Sequence, residues 1–332
     1  MTVAETSAPG ASSPRALPTY RSFEARVSRT ERLCPSFLRV TFTGEELHSF
    51  GLGGADQRIK LLLAPDGGTL DPVRPAGADW YERWRALPEA ARPVLRTYTV
   101  RSARPRLAEV DVDFVLHGVG PGAADAAGPA SRWAAAARAG DRVLLVGPDS
   151  SGAGRAWGCE WAPPADAGTL LLAGDETAVP AVCAVLEQLP SGPRTVVLLE
   201  VPEQGDVLDV PAPAGAEVRW LPRRTASGTR PHGQLLTAAV REAVRGATAP
   251  VGARPAGLAR ALAEPEDVDV DGALLWEVPS APAAAAGGLY AWLAGEAGVV
   301  KELRRHLVRD VGVPRSSVAF MGYWRAGRAH AV

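Results

Sequence analysis

TLLLAGDETAVPAVCAVLEQLPSGPRTVVLLEV, residues 169–201, decides the architecture of the second half of the chain. TLLLAG is an uninterrupted apolar run too short for a helix, ETAVPAVCAVLEQL has helical composition, and RTVVLLEV is again apolar almost throughout. Strands buried on both faces read this way, because helices cover a parallel sheet from above and below. The segment is a βαβ unit. Toward the C-terminus, EVRWLPR (217–223), GALLWEVP (272–279) and GGLYAWLAGE (287–296) supply further strands, while HGQLLTAAVREAV (232–244) and the amphipathic AGVVKELRRHLVRDVG (297–312) supply helices. An open parallel sheet covered on both faces accommodates them all. Between Arg245 and Asp271 the composition turns to Ala, Pro, Gly and acids, which predicts a surface insertion over about 245–271.

Upstream of this unit the rhythm differs. RSFEARVSRTERLCPSFLRVTFTG (21–44) and QRIKLLLAP (57–65) are short segments broken by Gly, Pro and Asp, as antiparallel strands are. In AEVDVDFVLHG (108–118), Val110, Val112, Phe114 and Leu116 fall on one face and Glu109, Asp111 and Asp113 on the other, the period of a strand. PASRWAAAARAG (129–140) has helical composition and DRVLLVGP (141–148) is a further strand. Six or so strands with one late helix predict a closed antiparallel β-barrel domain over 19–150, followed by the α/β domain over 151–332. Residues 1–18, rich in Ala, Ser and Pro, read as a disordered leader. The insertion at 66–93, with Trp80, Tyr81 and Trp84, reads as a short helical lid.

Composition removes several function classes. A net charge of −1 over 332 residues does not suit a nucleic-acid binder, so attraction to an anionic substrate has to come from a local patch. Cys34, Cys159 and Cys183 are widely spaced and form no CxxC pair, which argues against a disulfide framework and a metal site. No apolar run reaches the roughly 18 residues of a membrane span and the first residues lack a signal-peptide core, so a cytoplasmic protein without stable membrane association is expected. A monomer is expected.

The chemistry-bearing motifs begin with Arg96-Thr97-Tyr98-Thr99, which matches the RxY[ST] pattern of flavoproteins built like ferredoxin reductases. An arginine fork suits a pyrophosphate, an aromatic face suits a planar ring, and a short hydroxyl suits a ring nitrogen. Gly128-Pro129-Ala130-Ser131 precedes a helix, so that Ser131 caps it and its free N–H groups face a phosphate; an ordinary capping turn would look the same. RTYTVR, DFVLHG with GPASRWA, AGDETAVPA, YAWLAGE and GYWRAG occur in this order, and together they resemble the siderophore-interacting, ViuB-like family of FAD-dependent ferric-siderophore reductases. The resemblance runs from about Arg21 to Arg328, outside the leader and the two insertions. It implies a ferredoxin-reductase-like fold, β-barrel plus α/β, with an FAD-binding barrel followed by a nucleotide-binding domain. It also implies FAD contacts at Arg96, Thr97, Tyr98, Thr99, Asp113, Val115, His117, Ala130 and Ser131.

In the second domain, Gly174, Asp175, Glu176, Thr177 and Ala178 lie between a strand and a helix, at the sheet edge where nucleotides bind, although a plain capping turn remains an alternative. Glu296 sits in the segment where the resemblance puts the reduced nicotinamide, and Arg223 and Arg224 follow a strand where a 2′-phosphate could be read. The expected donor is NADH, NADPH or reduced ferredoxin. The resemblance implies a ferric siderophore as substrate, bulky and commonly anionic, for which Lys60, Arg325 and Arg328 are the candidate basic shelf. The flavin carries the redox chemistry and no protein acid or base is required at the iron. Two other classes keep part of these features: a general flavin reductase or ferredoxin-linked electron carrier needs no basic shelf, and a non-catalytic ferric-siderophore binding protein needs no donor.

Overall fold

The computed structural model describes residues 20–65, 68–74, 79–119, 127–152, 158–247, 276–277 and 288–327. The expected leader, most of the expected 245–271 insertion and Arg328 lie outside them. Seven strands form the first sheet: β1 (Tyr20–Arg32), β2 (Phe37–Thr43), β3 (Arg58–Leu63), β4 (Val94–Thr99), β5 (Ser102–Arg104), β6 (Glu109–Val115) and β7 (Arg142–Pro148). Their order is β4-β3-β7-β1-β2-β6-β5, with antiparallel neighbours throughout. Val110, Val112 and Phe114 enter the core of this sheet, as the alternation requires.

The sheet rolls up without closing. Its two edge strands are joined by Val100 and Arg101, whose N–H groups donate to the Gln57 and Asp111 carbonyls. No ladder links β4 to β6. The expected closed barrel is thus a half-barrel, and the reason is the helix after β6. Helix α2 (Pro129–Ala136) packs against β2, β4 and β6, with the Trp133 ring 5.7 Å from Phe114 and 6.2 Å from Phe42. A helix lying there covers the core with Ala130, Ala134 and Trp133 where the sheet does not close on itself.

The aromatic insertion is a helix, α1 (Trp80–Ala86), placed on the outer wall of the half-barrel and not over its mouth as a lid. The strand RIKLLL explains the difference. Leu61 and Leu63 face the inner core, so Leu62 must face outward, and it is buried there with Leu144 and Val146 under Trp84. The Trp84 indole N–H donates to the Pro93 carbonyl at 2.8 Å, and Arg74 pairs with Glu24 to fasten the same segment.

The second sheet contains β8 (Thr169–Gly174), β9 (Arg194–Glu203), β10 (Glu217–Thr225), β11 (Gly228–Thr229), β12 (Trp276–Glu277), β13 (Leu289–Glu296) and β14 (Val318–Trp324). Its order is β11-β10-β9-β8-β13-β14-β12, five parallel strands with an antiparallel strand at each edge. Helix α3 (Val179–Gln188) covers the face turned to the half-barrel, and α4 (Gln234–Ala247) and α5 (Ala297–Arg305) cover the other. The chain runs from β8 outward through β9 and β10, then returns to the other side of β8 with β13. This reversal places a topological switch point between the C-terminal ends of β8 and β13, where open α/β sheets bind ligands.

The two sheets divide between Pro148 and Thr169, and the chain between them straps them together. Glu160 pairs with Arg58 of β3, and Asp56 accepts the N–H groups of Glu160 and Trp161 and the indole N–H of Trp292 on β13. Phe37 and Val115 of the half-barrel are buried in the core beneath α3. Arg101 pairs with Glu187 of α3, while Asp206, wholly buried, accepts the N–H and hydroxyl of Ser36.

Candidate functional site

Arg96 and Tyr98 stand opposite Leu61 and Ile59 in the β3–β4 ladder, and paired residues share a face, so both project to the concave side of the sheet. The Tyr98 ring packs 4.4 Å from Phe114. Arg96 is half-buried, donates one bond of 2.8 Å to the Leu95 carbonyl, and pairs with no carboxylate among the described residues. Burial lowers the pKa of its guanidinium. Helix α2 packs against β4, no side chain caps the free N–H groups of its first turn, and a Cβ at Gly128 would meet nothing within 4 Å. A half-buried cation without a counter-ion among the described residues and an uncapped helix start are each a setting for an anion.

Ser131 does not cap α2. It lies inside the helix behind Gly128, and its hydroxyl donates to the Val115 carbonyl at 3.1 Å, which fixes α2 to the end of β6. Thr97 and Thr99 face away from Arg96: Thr97 is exposed and accepts a 2.7 Å bond from Lys60, and Thr99 is buried where Tyr323 approaches. The Asp113 carboxylate is taken by Arg39 in a two-pronged pair at 2.7 and 2.8 Å, so its side chain is not open to a cofactor. Val115 and Ala130 are buried in packing. His117 is exposed at the end of the strand, 3.8 Å from Glu176 of the second domain.

At the switch point the sequence reading needs correction in detail. Gly174 makes room for the protein itself: a Cβ there would lie 2.4 Å from the Ala178 Cβ and 2.6 Å from the Ala294 carbonyl oxygen. Thr177 neither caps α3 nor presents its hydroxyl to a ligand, because both its hydroxyl and its N–H donate to Asp175. The cap position belongs to the wholly buried Ala178. Asp175 turns inward and accepts the Glu296 N–H and the Trp324 indole N–H, each at 2.8 Å. Glu296 caps α5 through the Val299 N–H.

Glu176 is equally buried and holds Arg223 by both guanidinium nitrogens, at 2.7 and 2.8 Å. Glu200, also wholly buried, takes the N–H groups of Gly233 and Leu236 at the start of α4 and lies 3.4 Å from Arg223. Arg223 is therefore committed to two carboxylates and does not read a 2′-phosphate; Arg224 is exposed and pairs with Glu203. Burial would raise the Glu176 pKa, but Arg223 and His232 outweigh it and hold it down at about 2. His232 and Trp324 escaped the sequence reading. Their rings meet edge to face at 5.0 Å, and Trp324 also lies 6.2 Å from His117. A histidine-glycine pair just before a helix was the available signal, without a nearby partner in sequence to give it meaning.

Of the basic shelf, Lys60 lies on the outer face of β3, half-buried, and burial together with the adjacent Arg58 charge lowers its pKa. Arg325 follows the end of β14, two positions after Tyr323, which is electrostatically coupled to Arg58. Lys60 thus belongs to the first sheet and Arg325 to the second domain, and Arg328 falls outside the described residues.

Comparison with known proteins bears on the same regions. Residues 26–152 match the family model of the siderophore-interacting FAD-binding domain, and residues 167–327 that of siderophore-interacting protein. An uncharacterised protein of Mycobacterium tuberculosis is 31% identical over 306 residues, covering 91% of this chain and 89% of its own length. The ferric vibriobactin reductase ViuB of Vibrio cholerae is 34% identical over 197 residues, 59% of this chain and 64% of that one. The NADPH-dependent ferric-chelate reductase of Escherichia coli is 32% identical over 168 residues, 50% of this chain and 56% of that one. Among solved structures, a siderophore utilization protein from T. fusca superposes with a TM-score of 0.64 at 24% identity, covering 95% of this chain and 97% of that one. The siderophore-interacting protein SipS from Aeromonas hydrophila gives 0.58 at 26% identity, covering 93% and 100%.

Proposed function

The chain belongs to the siderophore-interacting protein family, and on that footing we propose that it is an FAD-dependent ferric-siderophore reductase, an oxidoreductase that passes electrons from NAD(P)H to ferric siderophore and releases ferrous iron. The observation that carries the reading is Arg96, a half-buried guanidinium without a carboxylate partner among the described residues, on a strand against which the uncapped helix α2 packs. These groups fit FAD: Arg96 and the α2 N–H groups would hold its pyrophosphate, and Tyr98 would flank its ring system. When bound, FAD supplies the exchange between a two-electron hydride donor and one-electron ferric acceptors.

The remaining work falls to the protein. Lys60 and Arg325, with Arg328 as third candidate, hold the anionic chelate by charge at the seam of the domains. Gain of one electron turns the hard ferric ion into a ferrous ion less suited to the siderophore's oxygen ligands, so release needs no protein acid or base. The β8/β13 crevice orients the nicotinamide donor, which makes Gly174, Asp175, Glu176, Thr177 and Ala178 framework for that crevice. Reduced ferredoxin is the alternative donor. No described helix is long and apolar enough to cross a membrane. We assign the reaction to a monomer in the cytoplasm, where reduced nicotinamides are maintained. The test is anaerobic: NADH, NADPH or reduced ferredoxin is added to the purified yellow protein, bleaching is followed, and ferric siderophores are then added. Bleaching by a donor and recovery of colour with ferrous release are expected. Bleaching without recovery on any ferric chelate would reject the reductase assignment.

A further inference from the structure

We infer that His232 is a positioning residue for the donor half of the reaction, clasping Asp175 and Trp324 together and so holding the rim of the β8/β13 crevice that faces the flavin domain. The inference rests on the donor reading proposed above and adds a residue that the motifs did not mark.

Asp175, Glu176 and Glu200 are almost fully buried, and Arg223 is the guanidinium among them, contacting Glu176 and Glu200 but not paired with Asp175. Asp175 accepts four hydrogen bonds from neutral donors: the N–H and hydroxyl of Thr177, the Glu296 N–H and the Trp324 indole N–H. Such bonds spread its charge but do not cancel it, and a buried uncompensated charge is costly. The cation that faces it is His232, whose Nε2 lies 3.4 Å from Asp175 and 3.8 Å from Glu176. Burial works against protonation of the ring, yet the two carboxylates prevail and push its pKa up to about 10. His232 also packs its ring against Trp324, and through that indole the clasp reaches His117 on the flavin side.

The same rim includes the turn after β13. Gly295 has φ 141°, and a Cβ there would lie 2.5 Å from Asp175, so the turn and the carboxylate are fitted to each other. Glu296, which accepts the Ala326 N–H at 3.2 Å, ties the tail beyond Trp324 to the same place. Without the imidazolium, Asp175 loses its compensating cation, and its hold on the indole and on the Gly295 turn weakens.

The test uses the full-length protein with FAD and two readouts. The first is hydrogen exchange of the Trp324 indole N–H by NMR, assigned by its disappearance in Trp324→Phe. In His232→Gln exchange should quicken about tenfold or more, and His232→Lys, which restores a cation, should slow it again. The second is flavin bleaching by NADH and NADPH. The donor KM should rise about five- to tenfold in His232→Gln while reoxidation by ferric chelate stays at the wild-type rate. In the wild type the donor KM should be flat at neutral pH and climb as pH passes about 10, a limb that the Gln variant lacks. A Gln variant with wild-type indole exchange, donor KM and alkaline limb would overturn the inference. If neither nucleotide bleaches the wild-type flavin, the donor role falls with the donor reading, and indole exchange then decides the clasp alone.

Discussion

Arg96 and Arg223 are both half-buried guanidiniums, and what surrounds each decides its role. Arg96 has a backbone carbonyl and no carboxylate, so its charge is available to a ligand. Arg96→Ala should weaken FAD binding by about 1.5–3 kcal/mol, or about ten- to a hundredfold, measured by titrating apoprotein with FAD. Arg223 is gripped by Glu176 and Glu200, and its loss would leave buried carboxylates uncompensated. Arg223→Ala should cost about 3–5 kcal/mol in denaturant unfolding and leave the ratio of NADPH to NADH use unchanged. The same cage predicts a pH dependence. Glu176 is depressed to about 2, so its contribution to stability is present above the ordinary carboxylate range and is lost as pH falls toward 2. His232, raised to about 10, contributes fully below its ordinary range and loses that contribution as pH rises through 10. Unfolding midpoints followed across pH should therefore fall less steeply in acid for Glu176→Gln than for wild type. Arg96 stands out in the sequence because its motif is local. The carboxylate partners of Arg223 were not legible because one follows β8 and the other lies within β9, and a sequence does not display which carboxylates the sheet order brings together.

Elements were legible where they were periodic or continuous. The alternation in EVDVDFV and the apolar runs TLLLAG and RTVVLLEV are strands at those places. VAFMGYW, the β14 strand, went unread because Gly322 interrupts its apolar run and its aromatic end is only partly buried. Helix α1 was foreseen as a helix but not its position, because the need to cover Leu62 appears only once β3 has assigned its two faces. Gly174 shows how tightly the elements at the switch point meet. Ala at this position would press its Cβ into Ala178 and into the Ala294 backbone, and neither is the end of a flexible side chain. Gly174→Ala should cost about 1–3 kcal/mol by overpacking and lower the midpoint of thermal unfolding, with donor bleaching impaired more than iron reduction.

At the scale of the whole molecule, a net charge of −1 offers an anionic chelate little long-range attraction, so capture has to be local. Single Ala substitutions at Lys60, Arg325 or Arg328 should raise the chelate KM about two- to fivefold, as expected of hydrated cations worth about 0.5–1 kcal/mol each. The triple variant should lose more, and its remaining binding should respond less to salt than that of wild type. Stopped-flow reoxidation of the reduced protein at two ionic strengths measures both, and a triple variant with wild-type rates and salt response would remove the basic shelf. The two-domain order was readable in the change of rhythm along the chain, but the seam was not, since its contacts pair residues as distant as Asp56 and Trp292. The burial of Phe37 and Val115 beneath α3 has a consequence for anyone cutting this gene. The halves are not exchangeable cassettes: a half-barrel ended at Pro148 would turn those two side chains to water, and its partner would be left with a hole in its own interior.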